Sequence, residues 1–173
     1  MSKKTTIKLI DFEFGAVRSA IATAPTYTKC QGLLKGFALS QDDPDANTID
    51  AELFANPWDT IYKGKPIVFK FELVNYDLAD LPALFGGTYT AGVAGTSGAS
   101  YDAPADIVTT DHEWRVSFQS GLDSLVMFNG QTMAVIKKDE DGAVSYSVTV
   151  TAKDLVIGDE RYSYRLNDRV AAV

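Results

Sequence analysis

Large apolar side chains recur at every second position in several separate stretches of this chain, and that two-residue period restricts it to extended, sheet-forming structure. Ile67, Phe69, Phe71 and Leu73 alternate with Val68, Lys70 and Glu72. Successive side chains of an extended chain point to opposite faces, so one face is greasy while Lys70 and Glu72 lie on the other. Trp114, Val116 and Phe118 alternate in the same way with Arg115, Ser117 and Gln119. Val144, Tyr146, Val148 and Val150 oppose Ser145, Ser147, Thr149 and Thr151, giving one apolar and one hydroxylic face. Near the end, Tyr162, Tyr164 and Leu166 oppose Arg161, Ser163 and Arg165 in a strand expected over 160–167.

Turn chemistry orders these strands. Asn129 and Gly130 separate two apolar runs, 125–128 and 132–137, and tolerate positive φ at both turn positions, which predicts a tight hairpin. Residues 139–142 and 158–159 mark two further turns, so the C-terminal half reads as a meander. Towards the N-terminus, 5–12 and 27–39 read as strands, with Gly32 and Gly36 suggesting a bend or bulge in the second. Residues 16–24 allow a turn or two of helix before Pro25 ends the pattern. The credible helix lies at about 77–86, with Asp80 as N-cap, Leu81 and Phe85 four residues apart, and Gly86 and Gly87 as a left-handed stop. Pro82 is tolerated only in its first turn, so the helix is short.

Two stretches lack the strand period. Residues 91–105 are rich in Gly, Ala and Ser, and 41–64 in Asp, Asn and Pro. Loops of this length within a domain tend to carry function or to order on a partner. The loop 41–64 also holds Leu53, Phe54, Trp58, Ile61 and Tyr62, side chains that call either for a partner surface or for the open edge of the chain's own sheet. The expected fold is therefore mainly β: a single domain over 1–173, an antiparallel β-sandwich or half-barrel with one short helix and a long loop.

Composition narrows the function. The 173 residues suffice for one domain with its own core, and 46% hydrophobic residues place the chain away from disorder. A net charge of −7 has the wrong sign for neutralising a phosphate backbone, so gripping DNA is disfavoured. The first residues lack the pattern of a secretory signal and no run reaches 18 apolar residues, so cytoplasmic synthesis without a membrane span is the expectation. Cys30 is the sole cysteine and reads as a small buried apolar residue.

No residue set converges on chemistry. The single histidine, His112, rules out sites that need two, and reads as a solvated residue where a strand begins. Carboxylate pairs for glycoside hydrolysis are available among Glu13, Glu52, Asp59, Glu72 and Glu113, but nothing sets their separation. The acidic runs 42–45 and 139–142 lack the full calcium-loop spacing and read as ordinary turns. Trp58, Tyr62, Tyr89 and Tyr101 lie in or beside the loops, where a carbohydrate-binding module places its aromatics. Neither catalysis, nor a cofactor, nor a metal is expected.

The order strand, strand, long loop, strand, short helix, strands resembles the tail-tube fold shared by siphophage major tail proteins and the inner tubes of contractile injection systems. The segments 49–59, 63–73 and 80–88 carry the likeness most clearly. The resemblance implies subunits that close into hexameric rings, stack into a tube around the DNA path, and use the loop before the third strand for ring-to-ring contact. Here that loop is 41–64, with Leu53, Phe54, Trp58, Ile61 and Tyr62 at the contact. Lys70, Glu72, Ser145, Ser147 and Thr149 become candidates for the lumen wall. The implied partners are further copies of the chain and other phage tail proteins; DNA passes through without specific binding, and no membrane is involved. Assembly in the bacterial host cytoplasm and residence in the virion tail follow from the same likeness. Unpaired strand edges suit ring closure, and an acidic wall would let DNA slide. The alternatives are a capsid decoration or connector protein, or a carbohydrate-binding β-sandwich.

Overall fold

A computed structural model describes residues 7–30, 33–43, 45–49, 59–74, 76–120, 122–138 and 144–168. The strands are β1 Ile7–Gly15, β2 Thr28–Lys29, β3 Leu33–Gln41, β4 Asp45–Ile49, β5 Asp59–Lys63, β6 Ile67–Val74, β7 Thr88–Thr90, β8 Ser100–Asp102, β9 Thr110–Ser120, β10 Leu122–Lys138, β11 Val144–Ala152, β12 Leu155–Ile157, β13 Glu160–Tyr162 and β14 Tyr164–Asp168. Among the described residues one helix, α1, spans Leu81–Phe85. Eight strands form one antiparallel sheet in the order β2-β1-β9-β10-β11-β6-β3, with β14 also paired to β10. The sheet is open rather than closed into a barrel. Three two-stranded ladders, β4 with β5, β7 with β8 and β12 with β13, stand apart from it.

The period-two runs become the core face of this sheet. Phe69, Leu73, Trp114, Val116, Val148 and Val150 are all at most 1% exposed. Phe12 from β1 joins them, its ring 4.6 Å from Phe71 and 4.7 Å from Trp114 between centroids. Such aromatic pairs add about 0.5–1.5 kcal/mol each beyond their buried area. The Trp114 Nε1–H donates to Thr132 Oγ1 at 3.1 Å, which satisfies the one polar atom this ring brings into the core. Leu81, Leu84 and Phe85 of α1 close one end of the core.

The helix is shorter than expected. It starts at Leu81 because Asp77 organises a turn before it: Asp80 N–H donates to Asp77 O, and Ala79 N–H to Asp77 Oδ1. Asp80 is the N-cap residue but makes no side-chain cap bond. Gly86, at φ +72°, provides the expected stop. No helix forms in 16–24, where bends and one turn carry the chain instead. The bulge foreseen at Gly36 is present: its φ is +66°, and the β3–β6 register shifts between Lys35 and Ala38.

The Asn129-Gly130 hairpin is overturned. Residues 122–138 form one uninterrupted strand that runs straight through both residues. Gly130 has no positive φ; it is glycine because a Cβ there would lie 2.6–2.8 Å from Val150, Met127 and Trp114. The dipeptide instead marks an irregularity in the β9–β10 ladder between Met127 and Gly130. The simple meander fails with it. β11 pairs with the second half of β10, and β14 returns to pair with the first half. Between them β12 and β13 leave the sheet, so the strand expected over 160–167 changes partner at Ser163.

The two expected loops hold more structure than their composition suggested. Within 41–64, β4 and β5 pair over five residue pairs, from Asp45 with Lys63 to Ile49 with Asp59. Within 91–105, β8 pairs with β7, and Val93 bridges to Ser97. No helix among the described residues is long and apolar enough to cross a membrane.

Candidate assembly surfaces

The sheet face opposite the core is divided into two halves. Over β1, β9 and the first half of β10 it is covered by the segment 16–30 and by the β12–β13 ladder. Val126 and Phe128 point outward here and pack with Leu155, Val17, Ile21, Ile157 and Tyr162 in a second, smaller core. At the centre is Glu113, with no solvent exposure, and Arg18, 7% exposed. Arg18 Nε donates to Glu113 Oε2 at 2.6 Å and its Nη2 to Oε1, a two-pronged pairing, while Nη1 donates to the Ile21 carbonyl at 2.8 Å. The Tyr27 hydroxyl donates to the same Oε1.

Cation–π contacts extend this cluster. The Arg18 guanidinium lies 4.6 Å from the Phe128 ring centroid and that of Arg115 lies 4.1 Å from Tyr27, while Arg115 Nε also donates to Glu13 at 2.6 Å. The bond to Glu113 holds Arg18 above its ordinary pKa. Burial, with the neighbouring Glu113 charge, pushes Tyr27 up to about 12. Two of the carboxylates considered for glycoside chemistry, Glu13 and Glu113, are thus committed to arginines, and Glu113 is closed to any substrate.

The other half of the outer face, over β11 and β6, carries the candidate lumen residues. Ser147 faces Glu72 and Thr149 faces Lys70 as direct cross-strand partners, so the set shares one surface. Lys70 is exposed, and Glu72, Ser147 and Thr149 are half-buried. Ser145 is fully buried, its hydroxyl donating to Glu72 Oε1 at 2.6 Å, and it is the one member of the set withdrawn from solvent. Met133 and Val135 on β10, opposite Thr149 and Ser147, add exposed apolar area to the same surface.

The hairpin of β4 and β5 fills the connection between β3 and β6, which are themselves paired where that connection starts and ends, Gln41 with Ile67. Lys65 ties its root through an ion pair with Asp45, and Gln41 Nε2 donates to the Lys65 carbonyl at 2.8 Å. Ile61 and Tyr62 lie on β5; Leu53, Phe54 and Trp58, like Glu52, fall outside the described residues.

The remaining candidates are placed as follows. His112 is not solvated: it is half-buried, edge-on to Phe14 at 5.3 Å, and desolvation lowers its pKa. Cys30 is half-buried against the core, and burial together with the Asp80 charge pushes its thiol up to about 12. Tyr89 and Tyr101 are cross-strand partners, and the Tyr101 hydroxyl donates to the Gly86 carbonyl at 2.8 Å. The Arg18–Glu113–Tyr27 cluster has no local signature, because its members lie up to 95 residues apart. Its only trace in the sequence is a glutamate on the polar phase of a strand. No protein-family model and no curated protein matches the chain.

Proposed function

We propose that the chain is a self-assembling structural subunit of a tail-tube type, forming stacked rings around a conduit for DNA. The observation that carries this reading is the β4–β5 hairpin: a paired, two-stranded extension set between two adjacent strands and belonging to no sheet but its own among the described residues. Adjacent antiparallel strands need only a few connecting residues. A connection running over all of 42–66 is therefore not needed to join them, and an arm reaching a neighbouring ring is the use that fits its position. The open sheet supports the ring itself, since strand edges that lack partners within one copy can pair with another. The hydroxylic surface of Ser147 and Thr149, with the opposite charges of Lys70 and Glu72 beside them, suits a wall past which a polyanion slides without being held.

Negative-stain electron microscopy of the purified chain over a concentration series tests the reading. Rings and tubes are expected from the intact chain, and single rings without tubes when 46–62 is replaced by a two-residue turn. A monodisperse monomer at every concentration would sink the proposal, and tubes that survive loss of the hairpin would remove its stacking role.

A further inference from the structure

The longest uncharged run in the sequence, 81–101, leads from α1 into the β7–β8 hairpin, in a chain where 23% of residues are charged. From Thr88 to Ser100 every residue is exposed, so neither face of the hairpin lies against the sheet. Its pairing is nevertheless regular. Thr88 pairs with Asp102, Tyr89 with Tyr101 and Thr90 with Ser100, and Val93 bridges to Ser97 in the same register. Between these points the backbones run close together, since a Cβ on Gly92 would lie 2.8 Å from the Ala99 nitrogen and 2.9 Å from the Ser97 oxygen. The result is a two-stranded arm of roughly 20 Å. Its foot is fixed, because Tyr101 packs on the core and its hydroxyl donates to the Gly86 carbonyl. A ribbon of two strands with no packed face is marginal in water and gains from a third strand.

Open strand edges are ordinarily guarded by charge. The β4–β5 ladder follows that rule with Asp45, Asp59 and Lys63, and the β12–β13 ladder with Glu160 and Arg161. In the large sheet β1 carries Lys8 and Asp11, and β14 carries Arg165 and Asp168. By contrast, β7 and its continuation to Val93 carry no charge, and Thr88, Tyr89, Thr90 and Val93 all suit a strand. A second unguarded edge belongs to β3, which ends the large sheet and pairs only with β6 among the described residues. Its guards, Lys35 and the bulge at Gly36, both precede Phe37. From Phe37 to Gln41 there is no charge; Asp42 and Asp43 follow only after the strand has ended. Ala38 to Gln41 are exposed, Leu39 by 45%. The arm leaves beyond the Val74 end of β6, whereas Phe37–Gln41 lies along the Ile67 half of that strand. The two unguarded edges therefore point toward opposite ends of one copy and meet between copies.

We infer that β7 of one copy adds as an outer strand to the Phe37–Gln41 edge of β3 in the next copy. Main-chain hydrogen bonds supply such a contact, so it requires free, uncharged edges and no particular side chains. Unlike surfaces meet across it, and a heterologous contact of this kind propagates instead of stopping at a dimer. The contact rests on the self-assembly reading above and adds a second junction to it. Gln41, at the end of the receiving edge, bonds to Lys65 at the root of the β4–β5 hairpin, so both arms act at the same place.

Two full-length single-cysteine chains test it in a Cys30→Ser background, one with Thr90→Cys on the arm and one with Ser40→Cys on the β3 edge. Both positions are exposed, so the fold tolerates the changes, which circular dichroism checks. Mixed while dilute, then concentrated and treated with a short bismaleimide, they are expected to give a covalent dimer on a denaturing gel that neither gives alone. Dimers from Thr90→Cys alone would mean that arms pair with arms, and dimers from Ser40→Cys alone that edges pair with edges. Either overturns the contact, as does a mixture without product. A chain carrying both cysteines is expected to yield a ladder of covalent oligomers, and a cross-link confined within one chain at every concentration would overturn the contact too. Guarding the arm with Thr88→Lys and Thr90→Lys should raise the concentration needed for assembly by about tenfold or more, with thermal unfolding unchanged. Assembly at the wild-type concentration would remove the arm from the contact. If rings and tubes form while the mixture gives no product, the contact falls and the tube reading stands. If the mixture cross-links but microscopy shows only open filaments, the contact stands and the tube reading falls.

Discussion

The two halves of the outer sheet face are built from similar material and end up opposite in character. Over β1 and β9, Glu13, Glu113 and Arg115 are drawn under a cover of Arg18, Tyr27 and the β12–β13 ladder, with Glu113 lost to solvent altogether. Over β6 and β11, Lys70 and Glu72 keep contact with water beside Ser147 and Thr149. Polar residues on a strand's outer phase therefore do not by themselves indicate an exposed surface. What separates the halves is whether another segment crosses them and brings the countercharge needed to bury an ion.

The comparison predicts unequal sensitivity to substitution. Glu113→Gln leaves the Arg18 guanidinium buried without its countercharge and is expected to cost about 3–5 kcal/mol in denaturant unfolding. Replacing Arg18, Glu113 and Tyr27 together by Met, Leu and Phe should recover most of that loss, since no charge is then stranded. If the single and triple variants unfold alike, the cluster is not an ionic clamp. At the junction of the halves, Gly130→Ala forces a methyl against Val150, Met127 and Trp114 and should cost about 1–3 kcal/mol. Wild-type stability in Gly130→Ala would instead show that a methyl fits at this position and that the packing of Val150, Met127 and Trp114 does not require glycine there.

Alkaline titration separates the halves more gently. Tyr27 loses its proton near 10 when unfolded and near 12 when folded, so the stability it lends is complete below pH 10 and is lost as pH rises from 10 to 12. Tyr27→Phe should flatten that part of the stability profile, and an unchanged profile would assign the alkaline loss to other tyrosines. The smallest effect belongs to the bare half: Ser147→Ala with Thr149→Ala should stay within about 0.5 kcal/mol of wild type. A larger loss would mean that this surface is covered as well.

Much of the sheet was legible because alternation is a local signal. Ile67 to Leu73 and Trp114 to Phe118 declare their core faces within a few residues, whatever their neighbours. Gly36 and Gly86 were readable for a similar reason, since each needs a backbone conformation that glycine alone adopts easily. Asn129 and Gly130 misled because one composition serves two purposes: positive φ in a turn, or room for packed side chains in a strand. Only the ring of Trp114 and the methyls of Val150, arriving from β9 and β11, decide between them. The β4–β5 pairing was hidden because Asp, Asn and Thr in its strands carry no apolar alternation.

The sequence by itself determined that this chain builds a sheet with one greasy face and one polar face, ends its short helix at Gly86, and has a net charge unsuited to gripping DNA. Tertiary structure alone decided which strands pair, that β10 continues where a turn was expected, and which half of the polar face lies under Arg18 and Tyr27. The physical reason is range: side-chain alternation and glycine conformation act between near neighbours, whereas burial of Glu113 depends on a partner 95 residues away that only the folded chain brings within hydrogen-bonding distance.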